Sequence, residues 1–157
     1  MKYNFGDCRK KDKEKNKTVV LFDEDSKGKY KSKSKFRIIN NKLITIYIVK
    51  IDHCLEFQGQ KCDWLFIVEK NNTAYFIELK SKKRDDGVKQ LANSVFQVKN
   101  LQNEYITEKF DSILSYLVLH NVPRNDTKTA NLKKSFKKQY NSELRFVEPK
   151  NAVIEVS

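Results

Sequence analysis

Cysteine and histidine are scarce in this 157-residue chain, which has three Cys and two His. Cys8, Cys54 and Cys62 form no C-x-x-C pair, and together with His53 and His120 they fit no common zinc-site spacing. We therefore expect no zinc site. Because the cysteine count is odd and the first residues lack the apolar stretch of a signal peptide, the sequence predicts reduced thiols and a cytoplasmic location.

Long apolar runs are also missing, and glycine and proline are rare. The longest largely apolar run, residues 43–49, is far too short to cross a membrane. The chain has neither an internal repeat nor a low-complexity linker, and its length is that of one domain. We therefore expect residues 1–157 to form a single domain with no membrane partner.

Positive charge is abundant. Lys and Arg outnumber Asp and Glu by 32 to 20, which gives a net charge of +12 and a pI of about 9.5. A field of this sign favours polyanions such as nucleic acid or an anionic membrane surface. The chain is also rich in Asn, Ile, Phe and Tyr, a mixture typical of a compositionally biased genome, so part of the Lys excess carries no functional information.

The apolar pattern predicts a mixed α/β fold. Period-two and continuous apolar runs indicate strands, and i, i+3, i+4, i+7 spacing indicates helices. The predicted strands are 18–22, 36–39, 42–51, 61–69, 74–80, 112–120, 144–147 and 152–156, and the predicted helices are 88–101 and 127–140. The turn at Asn40 and Asn41 predicts that the second and third strands form a hairpin, and the third is typical of a central strand.

The N-terminal residues 1–35 contain a dense run of basic residues that begins at Arg9 and continues to Lys17. Five lysines alternate with small or polar residues in the second half of this segment, Lys27, Lys29, Lys31, Lys33 and Lys35. On a strand they would form a ladder of like charge, which repels itself unless an anion lies along it. Two interpretations stay open: a solvated, partly mobile loop, which is the expected one, and a segment that follows a phosphate backbone.

The most informative stretch is the pair of apolar strands 61–69 and 74–80. Between them, Asn71 and Asn72 predict a tight turn, because Asn tolerates the positive φ that such turns require. The two strands should therefore form a hairpin whose open end carries ionisable side chains.

Three ionisable residues meet at that open end. With the Asn pair at the centre of the turn, Asp63 faces Lys80, Leu65 faces Glu78, and Asp63 is close to both charged partners. Two carboxylates this close repel each other unless a cation lies between them. Hard oxygen ligands favour Mg²⁺, or Mn²⁺ in its place. The alternative is a surface salt bridge worth about 0–1 kcal/mol.

This arrangement resembles the PD-(D/E)XK, or restriction-endonuclease-like, nuclease superfamily. Asp63 matches the first acid of the motif, and Glu78-Leu79-Lys80 matches its E-x-K on the next strand; Cys62 replaces the usual Pro. The resemblance covers roughly residues 45–120. It implies an αβββαβ-type core with a mixed central sheet flanked by helices.

The resemblance also implies residue roles. The two acids and the Leu79 carbonyl would bind Mg²⁺ or Mn²⁺, and Lys80 would position the attacking water. A further acid often completes such sites, and Asp52 and Glu56 are the nearest candidates. Gln90, on the helix after the E-x-K strand, either faces the acidic patch or faces solvent.

The resemblance predicts a metal-dependent endonuclease that hydrolyses DNA phosphodiester bonds. Backbone contacts would come from seven basic residues, Lys82, Lys83, Arg84, Lys133, Lys134, Lys137 and Lys138. For the last four, a solvated helix face is an equal alternative. Structure-selective, defence and repair nucleases all occur in the superfamily, and a homodimer is compatible with it. Two alternatives stay open: a non-catalytic DNA-binding module with this fold, and a protein-interaction subunit.

Overall fold

The computed structural model describes residues 2–79, 83–100 and 102–157. Its strands are β1 (Thr18–Glu24), β2 (Tyr30–Ile39), β3 (Ile46–Lys50), β4 (Trp64–Val68), β5 (Thr73–Leu79), β6 (Ser112–Val118), β7 (Glu143–Val147) and β8 (Val153–Glu155). Its α-helices are α1 (Arg84–Asn100), the single turn α2 (Gln102–Tyr105) and α3 (Thr127–Tyr140). The fold is therefore mixed α and β, as the apolar pattern predicts.

The strands form two sheets. The larger has the order β3-β4-β5-β6-β7, antiparallel from β3 to β5 and parallel from β5 to β7. The smaller has the order β1-β2-β8, with β1 antiparallel and β8 parallel to β2. Every residue of β4 and β5 is buried, because both faces of the larger sheet are covered.

Two apolar clusters cover those faces. On one side, α1 and α3 pack against the larger sheet through Leu91, Val95 and Phe136. On the other side, Phe36 and Ile38 of β2 pack against Trp64 and its neighbours. The molecule is thus three layers deep, with the larger sheet in the middle.

Helix α3 begins and ends where its sequence directs. The Asp126 side chain accepts a hydrogen bond from the Thr129 N–H at 2.8 Å, which caps the first turn. The last turn closes at Asn141, whose φ of 52° is left-handed, a conformation that Asn tolerates. The predicted helix 127–140 is confirmed, and so are the helix that became α1, the buried strand β6 and the two C-terminal strands.

Three predictions about the first fifty residues are wrong. Residues 36–39 and 46–50 do not form a hairpin, because β2 and β3 belong to different sheets. β3 is an edge strand rather than a central one. Residues 30–35 belong to β2 instead of a loop. In addition, no α-helix precedes β3 within residues 2–45, where a restriction-endonuclease-like core would have one.

Two of the three cysteines are paired. A disulfide joins Cys8 to Cys54, which contradicts the expectation of three reduced thiols. Cys62 is free and fully buried. Within the described ranges, no helix is both long and apolar enough to cross a membrane.

Candidate metal and catalytic site

A polar cleft opens where β5 ends and α1 begins. Its volume is about 640 Å³. Five acidic residues line it, together with Lys31, Lys61 and Gln90: Asp23, Asp52, Asp63, Glu78 and Asp86. The structure thus brings the two predicted acids of the motif into one concave, carboxylate-rich site.

Asp63 and Glu78 lie at the bottom of this cleft. Asp63 is 8% exposed and Glu78 is 5% exposed. The Leu79 N–H donates to Oδ2 of Asp63 at 2.7 Å, so the Asp63 carboxylate lies beside the end of β5. Glu78 Oε2 is buried and has no hydrogen-bond partner among the described residues. A buried carboxylate oxygen without a partner is costly unless a cation or a proton satisfies it.

The hairpin register differs from the prediction by two residues. Leu65 pairs with Phe76 rather than with Glu78. The cause is the turn, in which Glu69–Asn71 form a 3₁₀ helix and only Asn72 has a left-handed φ, of 48°. This four-residue connection replaces the expected two-residue turn, and it brings Asp63 next to Glu78 and Leu79.

Burial and like charge raise the pKa values of both acids. The pKa of Asp63 is raised from 3.8 to about 7, chiefly by burial and also by the nearby Asp23 and Asp52. The pKa of Glu78 is raised well above its usual value by burial first and by Asp63 second. Two such groups hold their protons more tightly than exposed carboxyl groups do, unless a cation replaces those protons.

A third acid at the site comes from a segment that the motif does not include. Asp23, at the end of β1, lines the cleft and raises the pKa of both buried acids, after the larger effect of burial. Asp52, a predicted candidate, does the same, and its carboxylate also contacts His53 at 3.2 Å. Glu56 is exposed and does not line the cleft.

Gln90 faces the cleft, which settles one of the open alternatives. It is half-buried, and its Nε2 donates to the Lys61 carbonyl at 3.2 Å. The predicted residues Lys80 and Lys82 lie outside the described part of the chain. Lys31 of β2, which the motif does not predict, lines the cleft and opposes the rise in the pKa of Asp63.

The predicted basic residues divide into two groups, one at the start of α1 and one along α3. Because each helix connects two neighbouring parallel strands on the same face of the sheet, α1 and α3 run side by side in the same direction. Lys83 directly precedes α1 and Arg84 is its first residue, close in the chain to Asp86 and Gln90, which line the cleft. Near the other end of α1, Lys99 donates to the carbonyl of Tyr140, the last residue of α3.

The lysines of α3 therefore lie progressively farther from the cleft. Lys133 is half-buried over the ring of Phe146, whereas Lys134, Lys137 and Lys138 are exposed. Lys137 lies roughly 15 Å along the helix from its first residue, at 1.5 Å per residue. These lysines form a charged face of their own rather than a wall of the cleft.

The donor set fits a hard divalent cation in part. Asp63 and Glu78 supply carboxylate oxygens, and Glu78 Oε2 has no other partner among the described residues. Within residues 2–79, 83–100 and 102–157, no three His, Cys, Asp or Glu side chains converge as a complete metal cluster. A cation would thus have two carboxylates plus backbone or water oxygens, a set typical of Mg²⁺.

Comparisons with known proteins identify no relative of this chain: no protein-family model, curated protein or solved structure matches it significantly.

Proposed function

We propose that this protein is a metal-dependent endonuclease that hydrolyses DNA phosphodiester bonds, with a restriction-endonuclease-like core. One observation carries the proposal: two buried carboxylates, Asp63 and Glu78, share a polar cleft in which Glu78 Oε2 has no partner among the described residues. Such a pair is unfavourable by itself, and strongly perturbed acids in a cleft are typical of functional sites.

The strand arrangement supports the core assignment. Three antiparallel strands, β3 to β5, lead into α1 and then into β6, which lies parallel to β5. This order corresponds to the βββαβ part of the superfamily core. The acids occupy the corresponding positions, with Asp63 just before β4 and Glu78 near the end of β5.

Asp63, Glu78 and the Leu79 carbonyl would hold the metal, Mg²⁺ or Mn²⁺. When bound, such an ion lowers the pKa of water and offsets the charge that builds on the phosphate. The chain keeps Asp63 ready for this role, because the Leu79 N–H fixes one carboxylate oxygen and leaves the other for a ligand.

Neighbouring side chains would complete the chemistry. Lys80 directly follows Leu79 in the sequence, and it would orient the attacking water and stabilise the developing negative charge. Gln90 is held at the cleft by its hydrogen bond to Lys61 and would orient the same water. Lys83 and Arg84 would contact the DNA backbone beside the cleft, where such contacts position the substrate without reading sequence.

The test is cleavage of plasmid, linear, single-stranded and four-way-junction DNA with Mg²⁺ or Mn²⁺. Wild type is compared with Glu78→Gln and Lys80→Ala, and we expect each variant to lose at least about 100-fold in rate. Glu155→Gln is the matched control, because it makes the same chemical change on an exposed residue of β8, away from the cleft.

The outcomes separate the alternatives. Metal-dependent cutting that is lost in both site variants and kept in Glu155→Gln supports the nuclease, and the preferred substrate defines its subclass. If wild type binds DNA but cuts none of the four substrates, the protein is a non-catalytic module. If it neither binds nor cuts DNA, a protein partner becomes the better hypothesis.

A further inference from the structure

A second groove lies beside the cleft, at the tips of β1 and β2. Its volume is about 570 Å³, and it is lined by Phe22, Tyr30, Lys31, Ser32, Lys33 and Lys35. The lining combines two aromatic rings with three cations and contains no acid. None of these residues belongs to the motif on which the proposed catalytic site rests.

The aromatic part of the groove is the exposed ring of Tyr30, which stacks on the ring of Phe22. Tyr30 is 64% exposed, which is unusual for so large a side chain, and its ring stacks on Phe22 with centroids 4.2 Å apart. Phe22 is itself anchored, because its carbonyl accepts a hydrogen bond from Nε1 of Trp64 at 2.8 Å. An exposed ring held in place by a second ring provides a flat surface on which a base can stack.

The cationic part is a ladder on one strand. Lys31, Lys33, Lys35 and Arg37 are exposed, and from Lys33 onward they alternate with buried residues, so the four side chains are directed outward. Within the described residues, none of the four has a salt-bridge partner at 4.0 Å or less. Four like charges on one strand repel each other unless an anion lies along them.

The groove and the cleft meet at one residue. Lys31 lines both, and its charge acts on the buried Asp63. A polyanion that follows the ladder from Arg37 towards Lys31 therefore arrives at the carboxylates.

We propose that this groove binds single-stranded nucleic acid, with a base on Tyr30 and phosphates along Lys31, Lys33 and Lys35. Exposed aromatic rings beside a basic track favour unpaired strands, because only an unpaired base presents its face for stacking. One consequence rests on the proposed function. A strand bound in this groove would lead to the proposed catalytic site, which would make the enzyme selective for unpaired or flap-like DNA.

The experiment measures binding of fluorescein-labelled oligo(dT), oligo(U) and a duplex of equal length by anisotropy, in EDTA so that no strand is cut. We expect Tyr30→Leu to bind the single strands roughly tenfold more weakly than wild type, because stacking is lost. Tyr30→Phe keeps the ring and should bind like wild type. Neither change should alter duplex binding. The two single strands distinguish DNA from RNA.

The cationic ladder is tested by salt dependence. Lys33→Gln with Lys35→Gln should lower the slope of log affinity against log salt by roughly 1.4 for the single strands, at about 0.7 for each phosphate contact. Lys42→Gln with Lys109→Gln is the matched control, because it removes the same charge from two exposed lysines near the opposite end of β5.

The proposal is overturned if Tyr30→Leu binds single strands as tightly as wild type, or if both lysine pairs have equal effects. It is also overturned if oligoglutamate displaces oligo(dT) at the same charge concentration, because the groove would then be a site for acidic proteins. The nuclease proposal fails independently. Tyr30-dependent binding without any cleavage would keep the groove and reject the nuclease, whereas cleavage without Tyr30 dependence would do the reverse.

Discussion

At the scale of single residues, the buried carboxylates of Asp63 and Glu78 oppose stability, and Oε2 of Glu78 has no partner in the part of the chain that the structure describes. Each would be better solvated at the surface, and each makes the other harder to ionise. Natural proteins keep such groups where function requires them. We therefore expect changes that remove this charge to stabilise the protein while they abolish its proposed activity.

The pKa of Asp63 leads to a prediction about pH. Because this pKa is raised from 3.8 to about 7 in the folded protein, the folded state keeps a proton that the unfolded state releases between those values. The metal-free protein should thus lose stability as the pH rises from about 4 to 7. In Asp63→Asn that loss should be smaller, by a few kcal/mol at about 1.4 kcal/mol per unit of pKa shift.

Urea unfolding between pH 4 and 8 in EDTA measures the effect. Asp111→Asn, which changes an exposed Asp away from the cleft, serves as the control and should follow wild type. At pH 8, added Mg²⁺ should raise the unfolding midpoint of wild type but not that of Asp63→Asn, because a ligand stabilises only the state that binds it. Identical pH profiles for wild type and Asp63→Asn would contradict this account.

The sequence predicts the pair Asp63 and Glu78, because both lie at the open end of one hairpin of apolar strands. It does not predict Asp23, although a signal is present. Val19 and Leu21 are buried, so two-residue alternation places Asp23 on the same inward face of β1. That signal becomes useful only once it is known that β1 packs over the larger sheet, and no local pattern contains this information.

At the scale of elements, a buried ion pair holds the tip of the smaller sheet against the larger one. Lys50 is the last residue of β3. Its Nζ lies 3.3 Å from Oε2 of Glu24 in β1 and donates to the Asp25 carbonyl oxygen at 2.9 Å. Both charged side chains are nearly buried, at 8% and 11% exposure. Because Asp23 and the Phe22–Tyr30 groove belong to the same tip, the ion pair also positions the surfaces proposed to bind metal and nucleic acid.

A double-mutant cycle tests this contact. Lys50→Met removes the ion-pair partner of the nearly buried Glu24 and should destabilise the protein by about 3–5 kcal/mol. Glu24→Gln in the Lys50→Met background should recover most of that loss, since no unpaired charge then remains buried. Chemical unfolding of wild type, Lys50→Met, Glu24→Gln and the double variant gives the coupling energy between the two side chains. A Lys50→Met protein as stable as wild type would show that the pair is solvated and does not hold the tip.

Local patterns predict α1, α3 and β6 because each contains its own apolar period or cap. They fail at Asn40, where a hairpin is expected. Asn40 is fully buried, and its side chain bonds both the N–H and the carbonyl of Ile44. With Leu43 in a left-handed conformation, this turn carries the chain from the smaller sheet into the larger one. Asn thus occurs both in the hairpin turn at Asn72 and in this turn between the sheets at Asn40. Tertiary packing decides which kind of turn forms.

At the scale of the whole molecule, the N-terminal residues tie the layers together. Tyr3 and Phe5 are buried in the helix-side cluster, and Tyr3 donates to the side chain of Asn72 at 2.6 Å. Arg9 forms an antiparallel β-bridge with Val49 and so adds one pairing to the outer edge of β3. Charge alone predicts a basic, partly mobile segment over residues 1–35, because lysines are far more frequent there than the few aromatic residues that the fold buries.

The Cys8–Cys54 disulfide fixes this N-terminal segment to the connection between β3 and β4. It closes a loop across a sequence separation of 46 residues. Because such a crosslink restricts the unfolded chain, reduction should lower the free energy of unfolding by about 2–4 kcal/mol. Urea unfolding with and without dithiothreitol measures the change. Cys8→Ser is the control, since dithiothreitol should not affect it.

Thiol titration of the unfolded, unreduced protein decides whether the crosslink is present. One reactive thiol, from Cys62, is expected, and three would show that the bond does not form where the protein is made. In that case the N-terminal segment would depend on the burial of Tyr3 and Phe5, the pairing of Arg9, and backbone hydrogen bonds such as that from Lys10 to the Ile48 carbonyl. Dithiothreitol would then leave the unfolding of wild type unchanged, so the two measurements must agree for the crosslink to be accepted as part of the fold.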